Sequence, residues 1–310
     1  MAVSTSPPRV SVIIPSFNTR DLLARCLESL VGAPQPTEVI VYDNASSDGS
    51  AETVAERFPT VVLVWGSENI GFARANNAAA RVATGDVLLL ANSDTEVAPG
   101  AIAALLGALD ARPDVGIVGA RLVNPNGGYQ QSARTLPCAL NLFLEATGLS
   151  RLVNRPKLYG FRGDRTRAVP YVSGAAMAVR RSVWDGLGGF DESFFFYGED
   201  ADLCARAGRR GWKTLFCHYA EVIHHGGAST APIRPDAAVE GYRSAFLFIA
   251  KHHGGLRLAL ARLWVALGAA IRWAVAVAVR APDRRRVYGR VLRLAFRRRP
   301  FPTGRFGEGV

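Results

Sequence analysis

The chain has 310 residues, 49% of them apolar, and carries a formal net charge of +11. That is ample for one large domain with its own core, or for a domain with an appendage, and such a chain needs no disulfide staples. Cys26, Cys138, Cys204 and Cys217 show no metal-type spacing and read as reduced thiols of a cytoplasmic protein. The opening MAVSTSPPRVSVIIP has no basic segment followed by a long apolar one, so no signal peptide is read there.

In chain order, VSVIIP (10–15) is a short, β-branched apolar run, and Leu22, Leu23, Cys26, Leu27 and Leu30 then mark one face of a helix. EVIVYD (38–43), VVLVW (61–65), DVLLLAN (86–92) and VGIVGA (115–120) repeat the strand signal. AETVAERF (51–58), a stretch beginning near Gly71 and AIAALLGALDA (101–111) repeat the helix signal. Short apolar strands separated by helices predict right-handed βαβ units. The expected fold is therefore α/β, a mostly parallel sheet with helices on both faces. Residues 121–170 have no clean period and many turn residues, and read as a functional loop or lid. AAMAVRR, GLGGF and a helix after Asp200 form a second ordered block over 171–225, and from about 240 the chain reads as helical and increasingly basic.

The strand ends are polar. Pro15-Ser16-Phe17-Asn18, Asp43-Asn44 and Asn92-Ser93-Asp94 each pass for ordinary turn or cap residues taken alone. Together they line one edge of a sheet, where open α/β folds gather ligands. A carboxylate at Asp94 suits Mg2+ or Mn2+, hard cations that bridge phosphate oxygens. Asp43 can accept hydrogen bonds from a base or ribose. Neither a Walker lysine pattern nor G-x-G-x-x-G is present. Glu199, Asp200 and Asp202 crowd the start of a helix, where an acid is favoured simply by the exposed N–H groups. Neighbouring acids and the aromatic run Phe194–Tyr197 would also raise a carboxyl pKa there, which suits a general base.

The tail carries a different signal. Between Arg280 and Arg305 there are ten arginines and one acid, Asp283. Upstream, LRLALARLWVALGAAIRWAVAVAVRA (256–281) is apolar but interrupted by Arg262 and Arg272, leaving uncharged runs of nine and seven residues, too short to span a bilayer. On a helical wheel Arg257, Arg262, Arg272 and Arg280 share one half, opposed by an apolar face with Trp264 and Trp273. This predicts a helix in the interface of an anionic membrane; a helix packed on the preceding domain is the alternative. Nucleic acid is the rival partner for the charge, but no reader motif accompanies it.

Five ordered stretches, VSVIIPSFN, VIVYDNASSDGS, ENIGFARANNAAARVATGDVLLLANSDTEV, SGAAMAVRRSVWDGLGGFDESFFFYGEDADLCARAGRRGW and EVIHHGGAST, resemble glycosyltransferase family 2 over about residues 8–230. Within it they are most similar to the rhamnosyltransferase-like branch. The resemblance implies a GT-A fold over 1–235, made of a nucleotide-sugar half (8–120), the loop or lid (121–170) and an acceptor half (171–235). A basic, amphipathic helical extension follows over 236–310. It also implies inversion at the anomeric carbon and a dTDP- or UDP-linked sugar donor, with dTDP-rhamnose suggested by the branch. The acceptor would be a glycolipid or polysaccharide of the cell envelope, met at the cytoplasmic face of the membrane.

Residue by residue, Asn92-Ser93-Asp94 corresponds to the family's D-x-D motif with Asn in first place, which leaves Asp94 most of the metal binding. Pro15, Ser16, Phe17, Asn18, Asp43, Asn69, Gly71, Asn77, Asn92, Ser93 and Asp94 become donor-binding candidates. Asp200 becomes the base that deprotonates the acceptor hydroxyl, with Glu199 shaping its pocket. His224 becomes a second metal ligand, with His225 as the fallback. His218, His252 and His253 receive no role. The competing readings are a nucleotidyltransferase, disfavoured because PSFNTRD is no basic Gly-rich loop, and a silent scaffold bound through its tail.

Overall fold

The computed structural model describes residues 10–30, 37–147, 161, 163–226 and 234–297. These fall into two compact units. One draws on Met1–Arg134, Gly160–Glu192 and Glu199–Ser229; the other draws on Thr135–Tyr159, Ser193–Gly198 and Thr230–Val310.

The first unit is a sheet covered on both faces. Its parallel strands are β1 (Val10–Ser16), β2 (Thr37–Asp43), β3 (Val62–Trp65), β4 (Val87–Ala91), β6 (Val115–Val123) and β11 (Lys213–His224). Three strands run against them: β5 (Thr95–Val97), β8 (Arg167–Ala168) and β10 (Ala176–Arg180). Along the sheet the order is β3-β2-β1-β4-β10-β6-β11-β5, with β8 beside β11. A short ladder of β7 (Ala133–Arg134) and β9 (Tyr171–Val172) stands apart from it.

Alternation along the central strands divides the core. Val10, Val12 and Ile14 of β1 and Val87, Leu89 and Ala91 of β4 face one side, with buried residues of α1 (Arg20–Leu30), α2 (Ser50–Arg57) and α4 (Ala101–Asp110). Ile13, Leu88 and Leu90 face the other, with α3 (Phe72–Val82), α6 (Arg181–Leu187) and α7 (Glu199–Arg209). Each fully buried aliphatic side chain stabilises the unit by roughly 1.5–3 kcal/mol.

The block after residue 171 does not form a sheet of its own. β10 pairs with β4 through Met177↔Leu90 and with β6 through Val179↔Ile117, so it fills the middle of the sheet. Two consecutive arginines lock its end. Arg180 donates from Nε to Val115 O (2.8 Å) and from Nη2 to Leu109 O (2.6 Å). Arg181 donates to the carbonyls of Gly85, Ala80 and Ala83. Most of these carbonyls lie at or just past helix ends, where cations and donors are favoured.

The expected loop at 121–170 holds more structure than its composition suggests. Besides β7 and β8 it contains the helix α5 (Ala139–Thr147); residues 148–160 and 162 lie outside the described residues. In the second unit, α5 is joined by α8 (Arg234–His253), α9 (Gly255–Ala278) and α10 (Pro282–Phe296), which share a core including Leu142, Phe246, Val265 and Val291. The breaks fall at Gly254 and at Pro282, a glycine before one helix and a proline at the first turn of the next.

One feature of α9 corrects the sequence reading. The helix runs unbroken through Arg262 and Arg272 for 24 residues, and by length and composition it is apolar enough to cross a membrane. The wheel's polar half is also the packed half. Arg262 lies 6.0 Å from the Phe246 ring, and Arg272 donates to Glu145 O (2.5 Å) beside Tyr288. Trp264, expected on the outer apolar face, packs 4.8 Å from Phe143. Trp273, expected on the same face, is exposed as read, together with Leu256, Leu260, Leu263, Leu267, Ile271, Val275 and Val279.

Candidate active site

The carboxyl ends of β1, β2 and β4 are tied together by short polar links. Pro15 stands past the last β1 residue that pairs with β4, so its missing N–H breaks no bond there. Ser16 Oγ lies 3.0 Å from Thr19 Oγ1, and that hydroxyl donates to Ser93 Oγ at 2.9 Å. Phe17 is partly buried at the turn. Asn18 holds φ at 52°, a left-handed conformation that Asn tolerates, and accepts from Ser47 N through Oδ1 at 2.8 Å. Ala45, at φ 59°, has no such excuse and is a strained residue on the adjoining loop.

Asp43 is 2% exposed. Its Oδ2 accepts from Ser46 N at 2.9 Å, while Oδ1, also buried, has no hydrogen-bond partner among the described residues. Asn44 Oδ1 accepts from Ile70 N (3.2 Å), and Asn69 Oδ1 accepts from Gly71 N (3.0 Å). Gly71 then opens α3 at φ 86°, a conformation that glycine adopts freely. Asn77 has a different setting from these. Its amide grips both the N–H and the carbonyl of Phe190 at 2.9 Å and also reaches Glu192, so it holds the turn after α6.

The polar end of β4 is built as a tight turn. Asn92 O accepts from Thr95 N (3.2 Å) and from Thr95 Oγ1 (2.7 Å). Ser93 and Asp94 are 5% and 1% exposed. Asp94 O accepts from His225 N at 2.9 Å, which brings the end of β11 against the turn. His224 Nε2 then lies 3.3 Å from Asp94 Oδ1 and 3.3 Å from Asn92 Nδ2. His225 turns away to Glu96, 2.7 Å from its Nε2. Of the two histidines, His224 is the one beside Asp94.

These groups fit a divalent cation as far as they go. Asp94 offers a carboxylate, His224 an imidazole nitrogen, and Asn92 a buried Oδ1 with no hydrogen-bond partner among the described residues. Three or more His, Cys, Asp or Glu side chains do not gather at any one point among the described residues. A Mg2+ or Mn2+ ion held by one or two protein groups takes its remaining ligands from water and substrate phosphate. The set is therefore suited to an ion shared with a diphosphate.

The second carboxylate centre is the start of α7. Asp200 accepts from Gly174 N at 3.1 Å and from Ala201 N at 2.7 Å. Burial pushes its carboxyl pKa above the ordinary 3.8, outweighing those two bonds and the nearby Arg134 charge, which pull it down. Glu199 is 5% exposed in the same turn. Asp202, 0% exposed, bonds Arg206 Nε at 2.6 Å, and that arginine donates on to Leu187 O and Gly189 O. Its task is structural. The sequence reading passed over Thr19, Gln130 and Gly174, whose bonds hold Ser93, His224 and Asp200, because a lone Thr, Gln or Gly carries no site signature.

A mostly parallel sheet with polar strand ends, an Asn-x-Asp turn and a buried carboxylate at a helix start is the arrangement that the resemblance to a GT-A-type glycosyltransferase implies. The family model for Glycosyl transferase family 2 matches residues 11–187. An N-acetylglucosaminyl-diphospho-decaprenol L-rhamnosyltransferase of Mycobacterium tuberculosis (strain ATCC 25618 / H37Rv) is 31% identical over 260 residues, covering 79% of this chain and 85% of the relative. The chain therefore belongs to glycosyltransferase family 2 and is a glycosyltransferase. Among solved structures, a mannosyltransferase from Pyrobaculum calidifontis in complex with GDP-Man and Mn2+ has a similar fold. It matches with a TM-score of 0.59 at 21% identity, over 94% of this chain and 86% of that one. GalNAc-T7 with UDP, GalNAc and Mn2+ matches with a TM-score of 0.56 at 18% identity, over 70% and 43%.

Proposed function

We propose that the protein is an inverting, metal-dependent glycosyltransferase that moves a sugar from a nucleoside-diphosphate donor to a lipid-linked acceptor in cell-envelope glycan synthesis. The seat of Asp200 carries this reading: a carboxylate with a raised pKa, fixed by two backbone N–H groups. Such a carboxylate can take a proton from an acceptor hydroxyl. The freed oxygen attacks the anomeric carbon as the bond to the diphosphate breaks, on the opposite face, so the configuration inverts. Asp43 Oδ1, buried and ready to accept, suits the base or ribose of the donor. Asp94 and His224 would hold the cation, and a bound cation supplies charge that offsets the departing diphosphate.

The Mycobacterium tuberculosis relative, named for rhamnosyl transfer to an N-acetylglucosaminyl-diphospho-decaprenol acceptor, supports rhamnose as the sugar and a polyprenyl diphosphate sugar as acceptor; dTDP is the carrier that the rhamnosyltransferase resemblance implies. The exposed aliphatic face of α9 and the arginines of α10 support work at the inner surface of an anionic membrane. The test is transfer from a panel of nucleotide sugars to a lipid-diphosphate-linked GlcNAc, with Mn2+ or with chelator. Asp200→Asn should lower turnover roughly 10²–10⁴-fold with little change in donor affinity. Wild-type turnover in that variant would remove Asp200 from the role of base.

A further inference from the structure

We propose that Gln130 is a positioning residue: it holds the His224 proton on Nδ1, so that Nε2 keeps its lone pair toward Asn92 and Asp94. The inference rests on the reading of His224 as a metal ligand and deepens it. The neutral imidazole has two tautomers, and only one presents Nε2 as a donor of electrons. Which one is present depends on what Nδ1 meets.

Nδ1 of His224 is hydrogen-bonded to Gln130 Oε1. An amide can be turned over to exchange its oxygen and nitrogen, so the assignment needs an anchor. A chain of bonds supplies one, starting from a group that cannot flip. The carbonyl of Gly128 accepts from Asn124 Nδ2 at 3.2 Å, which directs Asn124 Oδ1 the other way. Asn124 Oδ1 accepts from Gln130 Nε2 at 3.0 Å. A second backbone carbonyl, that of His224 itself, lies 3.4 Å from the same Nε2. Turning the Gln130 amide over would set its oxygen against two acceptors. Oε1 therefore faces Nδ1, and Nδ1 carries the proton. Around Nε2 stand Asn92 Nδ2, a donor at 3.3 Å, and Asp94 Oδ1, an acceptor at 3.3 Å; the carboxylate and a lone pair on Nε2 face one another as two groups that would share a cation.

The neighbouring backbone leaves room for this amide. A Cβ on Gly226 would come within 2.5 Å of Gln130 Nε2, so a glycine there lets the amide lie against the chain just past His224. Ligating histidines generally donate their other N–H to an outer partner, which fixes ring and tautomer. Here that partner comes from the turn after β6, 94 residues away in sequence.

The experiment uses the full chain with Gln130→Met, which removes the acceptor at similar length, and Gln130→Glu, which keeps an acceptor for Nδ1–H although its second oxygen loses the bonds to Asn124 and the His224 carbonyl, so that it reports on the tautomer alone. Long-range proton–nitrogen NMR on the metal-free protein, with His224→Ala to assign the signal, reads the tautomer. Wild type and Gln130→Glu should show protonated Nδ1, and Gln130→Met a mixture or the other form. Mn2+ alone, titrated by electron paramagnetic resonance, should bind about 10–100-fold more weakly to Gln130→Met. If Gln130→Met fails to fold, Gly226→Ala displaces the same amide without removing a polar group and should shift the tautomer likewise. Wild-type tautomer and Mn2+ affinity in the folded variants would overturn the proposal. Unchanged Mn2+ affinity in His224→Ala would instead overturn the ligand reading beneath it, whatever the tautomer of wild type.

Discussion

Asp200 and Asp202 stand two residues apart on α7 in opposite surroundings. Asp202 is neutralised on the spot by Arg206, whose remaining donors satisfy two carbonyls. Asp200 has backbone N–H partners, and burial prevails over them, so its pKa is raised above 3.8. A carboxyl with a raised pKa binds its proton more tightly folded than unfolded. Its charged form therefore costs stability at neutral pH, and that loss is recovered as pH falls through the raised pKa toward 3.8. Asp200→Asn is neutral throughout and forgoes this recovery. Its melting temperature relative to wild type should be most favourable at neutral pH and decline as pH falls toward 3.8. A difference independent of pH would show that the carboxyl is not perturbed. The sequence reading reached the direction of this shift but credited neighbouring acids and the aromatic run Phe194–Tyr197; the largest cause is burial, which a linear pattern does not report. Asp94 and His224 were paired in the sequence only through the family resemblance, and the fold sets the two side by side. Gln130 was not, since only the folded chain brings it to His224.

Among elements, α9 shows what a helical wheel can and cannot decide. The amphipathic period was legible, but the side that packs inward was not. The guanidinium groups of Arg262 and Arg272 lie over the rings of Phe246 and Tyr288, and Arg272 also donates to a carbonyl. Leu263 and Leu267, 58% and 46% exposed, lie on the outer stripe. If that stripe enters the membrane interface, replacing both with Glu should weaken binding to anionic vesicles about 10²-fold, each buried Leu being worth roughly 1.5 kcal/mol or more. Co-sedimentation at several salt concentrations measures it. Equal binding of the double variant, together with loss in an Arg284/Arg285/Arg286→Ala variant, would assign the attachment to charge alone. The short helix α5 escaped the sequence reading for a plainer reason: it lies in a stretch crowded with turn residues and outside the strand–helix alternation that marked the others.

At the scale of the whole molecule, the alternation of strands and helices fixed the fold class, while spatial order departed from chain order. A reader of the sequence sees β4 followed by β6; the sheet places β10 between them. Nothing local in AAMAVRR announces a central position, because its partners Leu90 and Ile117 lie 87 and 62 residues upstream.

That insertion has a consequence for biosynthesis. As the chain leaves the ribosome, everything through β6 emerges before the strand that joins β4 to β6 has been translated. Until then both carry open hydrogen-bonding edges lined with Leu, Val and Ile, the kind of surface that recruits holdases or pairs with a second nascent chain. Closing the gap requires high-contact-order pairing, which is slow. A polypeptide ending at Arg134 should therefore sediment as aggregates at micromolar concentration, and supplying a peptide of residues 171–185 during refolding should raise its soluble fraction. A soluble monomer without that peptide would show that the open edges are already blunted.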